Sequence, residues 1–133
     1  MKLILVDDNL LFRDDLKFFL ENRLLHTVIA EATSGEEFLA LENLCEADII
    51  LMDLTMETMN GFEATKKILW HFPHLKIIAI TMNTENVLLP KLLETGFKGF
   101  IFKTEIFKSL ETVLQSVYSD GVIFSDKFHE IKN

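Results

Sequence analysis

Carboxylates stand at the ends of two short, largely apolar runs in this sequence. The run Ile49–Met52 ends on Asp53, and the run Lys2–Val6 ends on Asp7 and Asp8. Runs of this kind are typical of strands that are buried on both faces. Three carboxylates placed together repel one another unless a cation lies between them, and a hard divalent ion, above all Mg²⁺, prefers such oxygen ligands. The acids therefore predict a Mg²⁺ site.

Two further residues that suit phosphate chemistry follow later apolar runs. Thr81 follows the run Lys76–Ile80, and Lys103 follows the run Lys98–Phe102. A lysine ammonium supplies a compact positive charge and a threonine hydroxyl supplies a hydrogen-bond donor, which are the groups that a phosphoryl group requires. Because an aspartate can itself act as the nucleophile, the set predicts metal-assisted phosphoryl transfer.

Each of these residues also has a simpler structural explanation. Asp7 and Asp8 can cap the helix that follows them, and Asp53 can accept hydrogen bonds from loop amides. Thr81 is a common type of strand residue, and Lys103 can extend into solvent from a strand end. These explanations account for each residue alone, but they do not account for five such groups at one edge of a sheet.

The elements that must position these residues alternate along the chain. Apolar runs predict five strands, and helical spacing or capping residues predict a helix after each one. The predicted strands are Lys2–Val6, Thr27–Ala32, Ile49–Met52, Lys76–Ile80 and Lys98–Phe102. The first predicted helix contains Phe12 to Leu20, and the second runs from Ser34 through Leu44. The third runs from about Phe62 to His71, the fourth ends at Thr95, and the last contains Ile106 to Val117.

This alternation predicts an α/β fold with a doubly wound parallel sheet and helices on both faces. Ligands bind at the carboxyl ends of the strands in such sheets, which is where the candidate residues fall. A Pro90 within the fourth helix lacks a backbone donor and is expected to delay or kink that helix.

The composition limits the classes of function. A chain of 133 residues fits one domain, and the single Cys45 excludes an internal disulfide. No uncharged apolar run approaches the roughly 18 residues of a membrane span, so no membrane partner is expected. Asp7 and Asp8 interrupt the first apolar stretch too early for a secretory signal, which together with the single cysteine predicts a cytoplasmic location. The 13 basic and 21 acidic residues give a formal charge of -8, which opposes binding to nucleic acid by this chain alone.

Four motifs give the chain a resemblance to a known family. They are "LVDDN" at the first strand, "ILMDLTM" with "NG" at the third, "IIAITMN" at the fourth and "GFKGFIFK" at the fifth. In this order the chain resembles the receiver domain of bacterial response regulators of two-component systems. Thr104, which follows Lys103 where the family usually has proline, and the tail "GVIFSDKF" resemble the class with a LuxR-type helix-turn-helix output. The resemblance implies a flavodoxin-like sheet of five parallel strands, with a receiver domain at 1–121 and a tail or linker at 122–133.

The resemblance assigns roles to the acids. It implies that Asp53 accepts a phosphoryl group from a histidine kinase or a phosphotransfer protein. It implies that Asp8 and Asp53 bind Mg²⁺ together with the backbone carbonyl of Thr55, and that Asp7 acts mainly through water. A domain of this kind is a regulatory phosphoacceptor that promotes its own phosphorylation and dephosphorylation, and it is not an enzyme in its own right.

The resemblance also implies a switch. Thr81 and Lys103 would hold the phosphoryl oxygens, and Phe100 would be the aromatic residue that turns inward. The surface made by the fourth helix, the fifth strand and the last helix would then change. A homodimer could form through the changed surface. DNA would be bound only by an output domain that this chain does not contain.

The sequence departs from the family pattern at several positions. Glu57 replaces a usual proline, and Met82 stands where a small residue is usual. Met82 is therefore predicted to act as a gate that limits access to Asp53, with packing against the fourth helix as the alternative. Two other functions stay open: an interaction module independent of phosphorylation, and a small Mg²⁺-dependent phosphohydrolase. The absence of an obvious general base and of a substrate-selecting cap opposes the second.

Overall fold

A computed structural model describes residues 1–82 and 89–124 of the chain. The strands are β1 (Lys2–Val6), β2 (Thr27–Ala32), β3 (Ile49–Asp53), β4 (Ile77–Thr81), β5 (Gly99–Phe102) and β6 (Ile123–Phe124). The α-helices are α1 (Leu10–Asn22), α2 (Gly35–Leu39), α3 (Gly61–His71), α4 (Leu89–Thr95) and α5 (Ile106–Tyr118). Short 3₁₀ turns cover Leu44–Glu46 and Lys103–Glu105. Within these described residues no helix has the length and apolar character needed to cross a membrane.

The strands form one parallel sheet in the order β2-β1-β3-β4-β5-β6. Every residue of β3, β4 and β5 is buried, as expected for strands covered on both faces. Leu16 of α1 and Leu110 of α5 lie in one core cluster, whereas Phe38 of α2, Ile68 of α3 and Leu92 of α4 lie in the other. The predicted α/β, flavodoxin-like fold with helices on both faces is confirmed.

The register brings the strand ends to one edge. Asp53 is the last residue of β3, where it pairs with Ile80, and Thr81 is the last residue of β4, where it pairs with Phe102. Lys103 follows directly after β5. The strand ends therefore deliver the candidate side chains to the carboxyl edge of the sheet.

Two differences from the sequence predictions concern element boundaries. The second helix was predicted to continue through Leu44, but α2 ends at Leu39. The Leu41 amide donates to the Phe38 carbonyl at 3.1 Å, a three-residue closure that stops the helix, and Leu41 and Leu44 then both pack against the core. The sheet also gains β6 beyond the five predicted strands, within the segment predicted as a tail.

Helix starts near the site are fixed by side-chain caps. Asn9 accepts the Phe12 amide at 3.1 Å and Asn60 accepts the Glu63 amide at 2.9 Å, so α1 and α3 begin beside the ends of β1 and β3. Pro90 lies in the first turn of α4, where a missing amide hydrogen costs little. The residues between Met82 and Leu89 lie outside the described part of the chain.

Candidate functional site

The three predicted acids meet at the carboxyl edge of the sheet. One carboxylate oxygen each from Asp7, Asp8 and Asp53 lies within 4.8 Å of the others, with Asp7 and Asp53 buried and Asp8 exposed. The Asn9 amide donates to Oδ1 of Asp7 at 2.8 Å. Two buried acids and one exposed acid form a cluster of hard oxygen donors that is open to solvent on one side.

The protonation of Asp53 reflects this crowding. The pKa of its carboxyl is raised from 3.8 to about 7, first by burial and next by the charge of Asp7. The Lys103 ammonium and the Thr55 amide oppose this rise. A divalent cation among the acids would remove the repulsion that raises the pKa, so the donor set fits Mg²⁺.

Lys103 lies against the acid cluster with little access to water. Its Nζ is 2.7 Å from Oδ2 of Asp7 and 3.5 Å from Oδ2 of Asp53, and the side chain is 7% exposed. The same ammonium lies 4.4 Å from the ring centroid of Phe12 on α1. The lysine charge is therefore directed at the position where a group on Asp53 would stand.

Two threonines line the opposite side of Asp53. The Thr55 amide donates to Oδ1 of Asp53 at 3.1 Å, and the hydroxyls of Thr55 and Thr81 are 3.5 Å apart. Thr81 is buried, with 1% exposure. The Thr55 amide fixes the orientation of the Asp53 carboxylate, and the metal role predicted for the Thr55 carbonyl stays a prediction.

Phe100 and Met82 occupy contrasting positions. Phe100 is completely buried and packs edge-on against Phe102, with 4.7 Å between the ring centroids. Its predicted switch therefore requires a second, more exposed arrangement besides the one in this structure. Met82 directly follows β4 and is 63% exposed. Its gating role stays a prediction.

Comparison with known proteins shows the family to which the chain belongs. Residues 3–115 match the response regulator receiver domain. The chain belongs to this family. Response regulator UvrY of Escherichia coli (strain K12) is 34% identical over 119 residues, which are 90% of this chain and 55% of that protein. Transcriptional regulatory protein YdfI of Bacillus subtilis (strain 168) is 34% identical over 122 residues, which are 92% of this chain and 57% of that protein.

A solved structure supports the same assignment. A LuxR-family two-component response regulator from Aurantimonas sp. SI85-9A1 superposes with a TM-score of 0.89 and 26% identity, covering 97% of this chain and 92% of that chain. The predicted receiver domain of a two-component response regulator, related to the LuxR family, is thus confirmed. The chain spans little more than half the length of the curated relatives it matches.

Three residues make contacts at the receiver site that were not predicted from the sequence. Arg13 is 7% exposed, and its guanidinium donates to the Asp7 carbonyl and, at 2.9 Å, to Glu31. Phe12 provides the ring beneath the lysine, and the Glu57 amide donates to Asp8 at 3.3 Å. A signal for Arg13 was present, because it precedes the core residue Leu16 by three positions and so lies on the apolar face of α1.

An open groove lies elsewhere on the receiver domain and contains none of the predicted site residues. Its volume is about 980 Å³, and it runs between the end of α2 and α3. Its lining is mixed: apolar side chains such as Leu41, Ile68 and Trp70 alternate with two lysines, two glutamates and a histidine, and Trp70 is 86% exposed. The converging acids, lysine and threonine lie at the strand ends, and the function is assigned there.

Proposed function

We propose that this receiver domain accepts a phosphoryl group on Asp53 from a phosphohistidine of a sensor histidine kinase or a phosphotransfer protein, with Mg²⁺ bound by the acid cluster. The observation that carries the proposal is the convergence of three carboxylates within 4.8 Å, with Lys103 and Thr81 beside the Asp53 carboxylate. Asp7, Asp8 and Asp53 would hold the metal, together with the Thr55 carbonyl.

The transfer follows from the positions of these groups. An oxygen of Asp53 attacks the phosphorus, the phosphorus–nitrogen bond of the donor breaks, and its electron pair returns to the donor imidazole. Mg²⁺ supplies charge neutralisation of the transferred group. The Thr55 amide holds one carboxylate oxygen of Asp53, and the Lys103 ammonium offers charge to the incoming phosphoryl oxygens.

Phosphorylation then acts as a switch. A phosphoryl group adds roughly two negative charges and draws the Lys103 ammonium and the Thr81 hydroxyl toward it. Movement of Thr81 toward the phosphoryl group vacates space, which favours the buried position of the Phe100 ring over a more exposed one. The surface formed by α4, β5 and α5 changes in consequence, with the two arrangements in a pre-existing equilibrium that phosphorylation shifts.

We also propose a wider role for the domain from the names of its relatives. YdfI is described as a transcriptional regulatory protein, so this domain would regulate transcription in the cytoplasm through an attached DNA-binding output domain. Self-association into a homodimer would be one readout of the changed surface. The domain itself would promote its own phosphorylation and dephosphorylation without acting on another substrate.

The test is intact-mass spectrometry after incubation with acetyl phosphate and Mg²⁺. One phosphoryl group is expected on the wild-type chain and none on Asp53→Asn. Labelling that survives in Asp53→Asn would place the nucleophile elsewhere. A wild-type chain that takes no label would favour an interaction module that is independent of phosphorylation.

A further inference from the structure

Phe12 contacts the Lys103 ammonium through an uncharged aromatic ring. It stands in the first turn of α1, held there by the hydrogen bond from its amide to Asn9 at 3.1 Å. Its ring centroid lies 4.4 Å from Nζ of Lys103, within the range of a cation–π interaction. The lysine side chain is only 7% exposed, so this attraction is weakly screened by water.

The Lys103 ammonium also contacts two carboxylate oxygens, and a metal ion would compete with it for those carboxylates. The oxygens are Oδ2 of Asp7 at 2.7 Å and Oδ2 of Asp53 at 3.5 Å. In the proposed function both carboxylates serve Mg²⁺, whose double charge weakens their attraction for the ammonium. The lysine then loses much of what holds it in place.

An aromatic face is a partner that Mg²⁺ does not take. Mg²⁺ is a hard cation that keeps oxygen ligands and water, whereas a lysine ammonium is attracted to the electron-rich face of a ring. The contact between Phe12 and Lys103 therefore persists when the acids turn to the metal.

We propose that Phe12 is a positioning residue that keeps the Lys103 ammonium directed at Asp53 while Mg²⁺ occupies the acid cluster. The inference rests on the proposed phosphoacceptor function and adds a residue to it. Phe12 acts through the lysine and does not itself touch the phosphoryl group.

Packing is the competing explanation, because the Phe12 ring also contacts the core cluster shared by α1 and α5. Leucine at this position keeps most of the apolar volume and removes the aromatic face. Phe107→Leu is the matched control, since that ring packs edge-on against Phe19 with 5.0 Å between centroids and lies outside the acid cluster.

The first experiment uses Mg²⁺ alone and follows the side-chain methylene protons of Lys103 by NMR. A proton above an aromatic face is shifted upfield by the ring current. We expect this shift in the wild-type chain, its persistence when Mg²⁺ saturates the protein, and its loss in Phe12→Leu but not in Phe107→Leu. Disappearance of the shift on addition of Mg²⁺ to the wild-type chain would overturn the inference.

The second experiment is a double-mutant cycle on beryllofluoride affinity in the presence of Mg²⁺. Phe12→Leu is expected to weaken binding about three- to tenfold in the wild-type background, the range of an aromatic contact with a cation. In a Lys103→Ala background it is expected to have little further effect. Equal weakening in both backgrounds would assign the effect to packing and overturn the positioning role. A wild-type chain that binds no beryllofluoride would contradict the phosphoacceptor proposal instead, and the NMR result would still decide the role of Phe12.

Discussion

The Asp53 carboxyl makes the stability of the metal-free protein depend on pH. Its pKa is raised from 3.8 to about 7 by burial and by the charge of Asp7. Between these two values the folded protein retains a proton that the unfolded chain has released. The free energy of unfolding therefore falls as the pH rises from about 4 to about 7, by the linkage between proton binding and folding.

Asp53→Asn removes this ionisation with almost no change in side-chain volume. We expect the variant to be more stable than the wild-type chain in EDTA at pH 8, by a few kcal/mol, and the difference to shrink toward pH 5. Thermal unfolding followed by circular dichroism at several pH values measures it. Asp120→Asn is the control, because Lys76 lowers the pKa of that carboxyl and its removal should not stabilise the protein.

The buried guanidinium of Arg13 gives a second test at a single position. Arg13→Met removes the donor to the Asp7 carbonyl and leaves Glu31 with Lys17 alone, and it should lower the free energy of unfolding by about 2–3 kcal/mol. Lys17→Met is the matched control, because Lys17 contacts the same Glu31 at 3.4 Å from a side chain that is 40% exposed. Its loss should cost less than about 1 kcal/mol. Urea denaturation compares the two, and equal losses would contradict the structural role of Arg13.

At the residue scale, the sequence predicted the acids of the site but not the contacts of Phe12 and Arg13 on α1. Asp7 and Asp53 were located because they follow apolar runs, and the ends of parallel strands meet at one edge. The contacts of Phe12 and Arg13 join α1 to the turn after β5 and to β2. Local sequence patterns do not indicate which side chain of a helix will contact another element.

The junction between β3 and α3 depends on a glycine. A Cβ on Gly61 would lie 2.2 Å from the carbonyl oxygen of Asp53, so Gly61→Ala must displace the end of β3. We expect a loss of about 1–3 kcal/mol in unfolding free energy and weaker Mg²⁺ binding by calorimetry. Gly35→Ala is the comparison, since its Cβ would meet the Met59 side chain. The nearest atom is the Met59 Cβ at 2.7 Å, so Gly35→Ala is also strained, but the strain does not fall on Asp53 and Mg²⁺ affinity should be retained.

The sixth strand gives a test of the predicted domain boundary. β6 pairs with β5, and the Ile123 amide donates to the Lys98 carbonyl at 3.0 Å. Removal of residues 122–133 should therefore lower the unfolding free energy by about 1 kcal/mol relative to removal of residues 125–133 alone. Equal stability of the two truncated chains would support a domain that ends at residue 121.

The five longer strands were predictable because each is a largely apolar run of four to six residues. Two elements were not. A strand of two residues such as β6 is too short to show a periodicity in the sequence. It forms because β5, which is more than 20 residues earlier in the chain, offers backbone groups with which it can pair. The end of α2 depends on how Leu41 and Leu44 pack against the core, a tertiary effect that local helix signals do not contain.

The charge of the whole molecule bears on its partners. A formal charge of -8 repels a phosphate backbone. We expect no binding of duplex DNA by this chain in fluorescence anisotropy, even at low salt, whether or not beryllofluoride and Mg²⁺ are present. Binding that weakens steeply with added salt would reveal a basic face and would contradict the proposal that DNA contact belongs to an attached output domain.

The position of Trp70 decides which optical signals can follow these experiments. It is the single tryptophan of the chain and is 86% exposed. It lies nine positions along α3 from Gly61, which is beside Asp53, a rise of about 13 Å along the helix. Its emission in the folded protein should already resemble that of indole in water, so neither metal binding nor unfolding in urea should shift it much. Intrinsic fluorescence would then record an intact receiver and a denatured one almost alike.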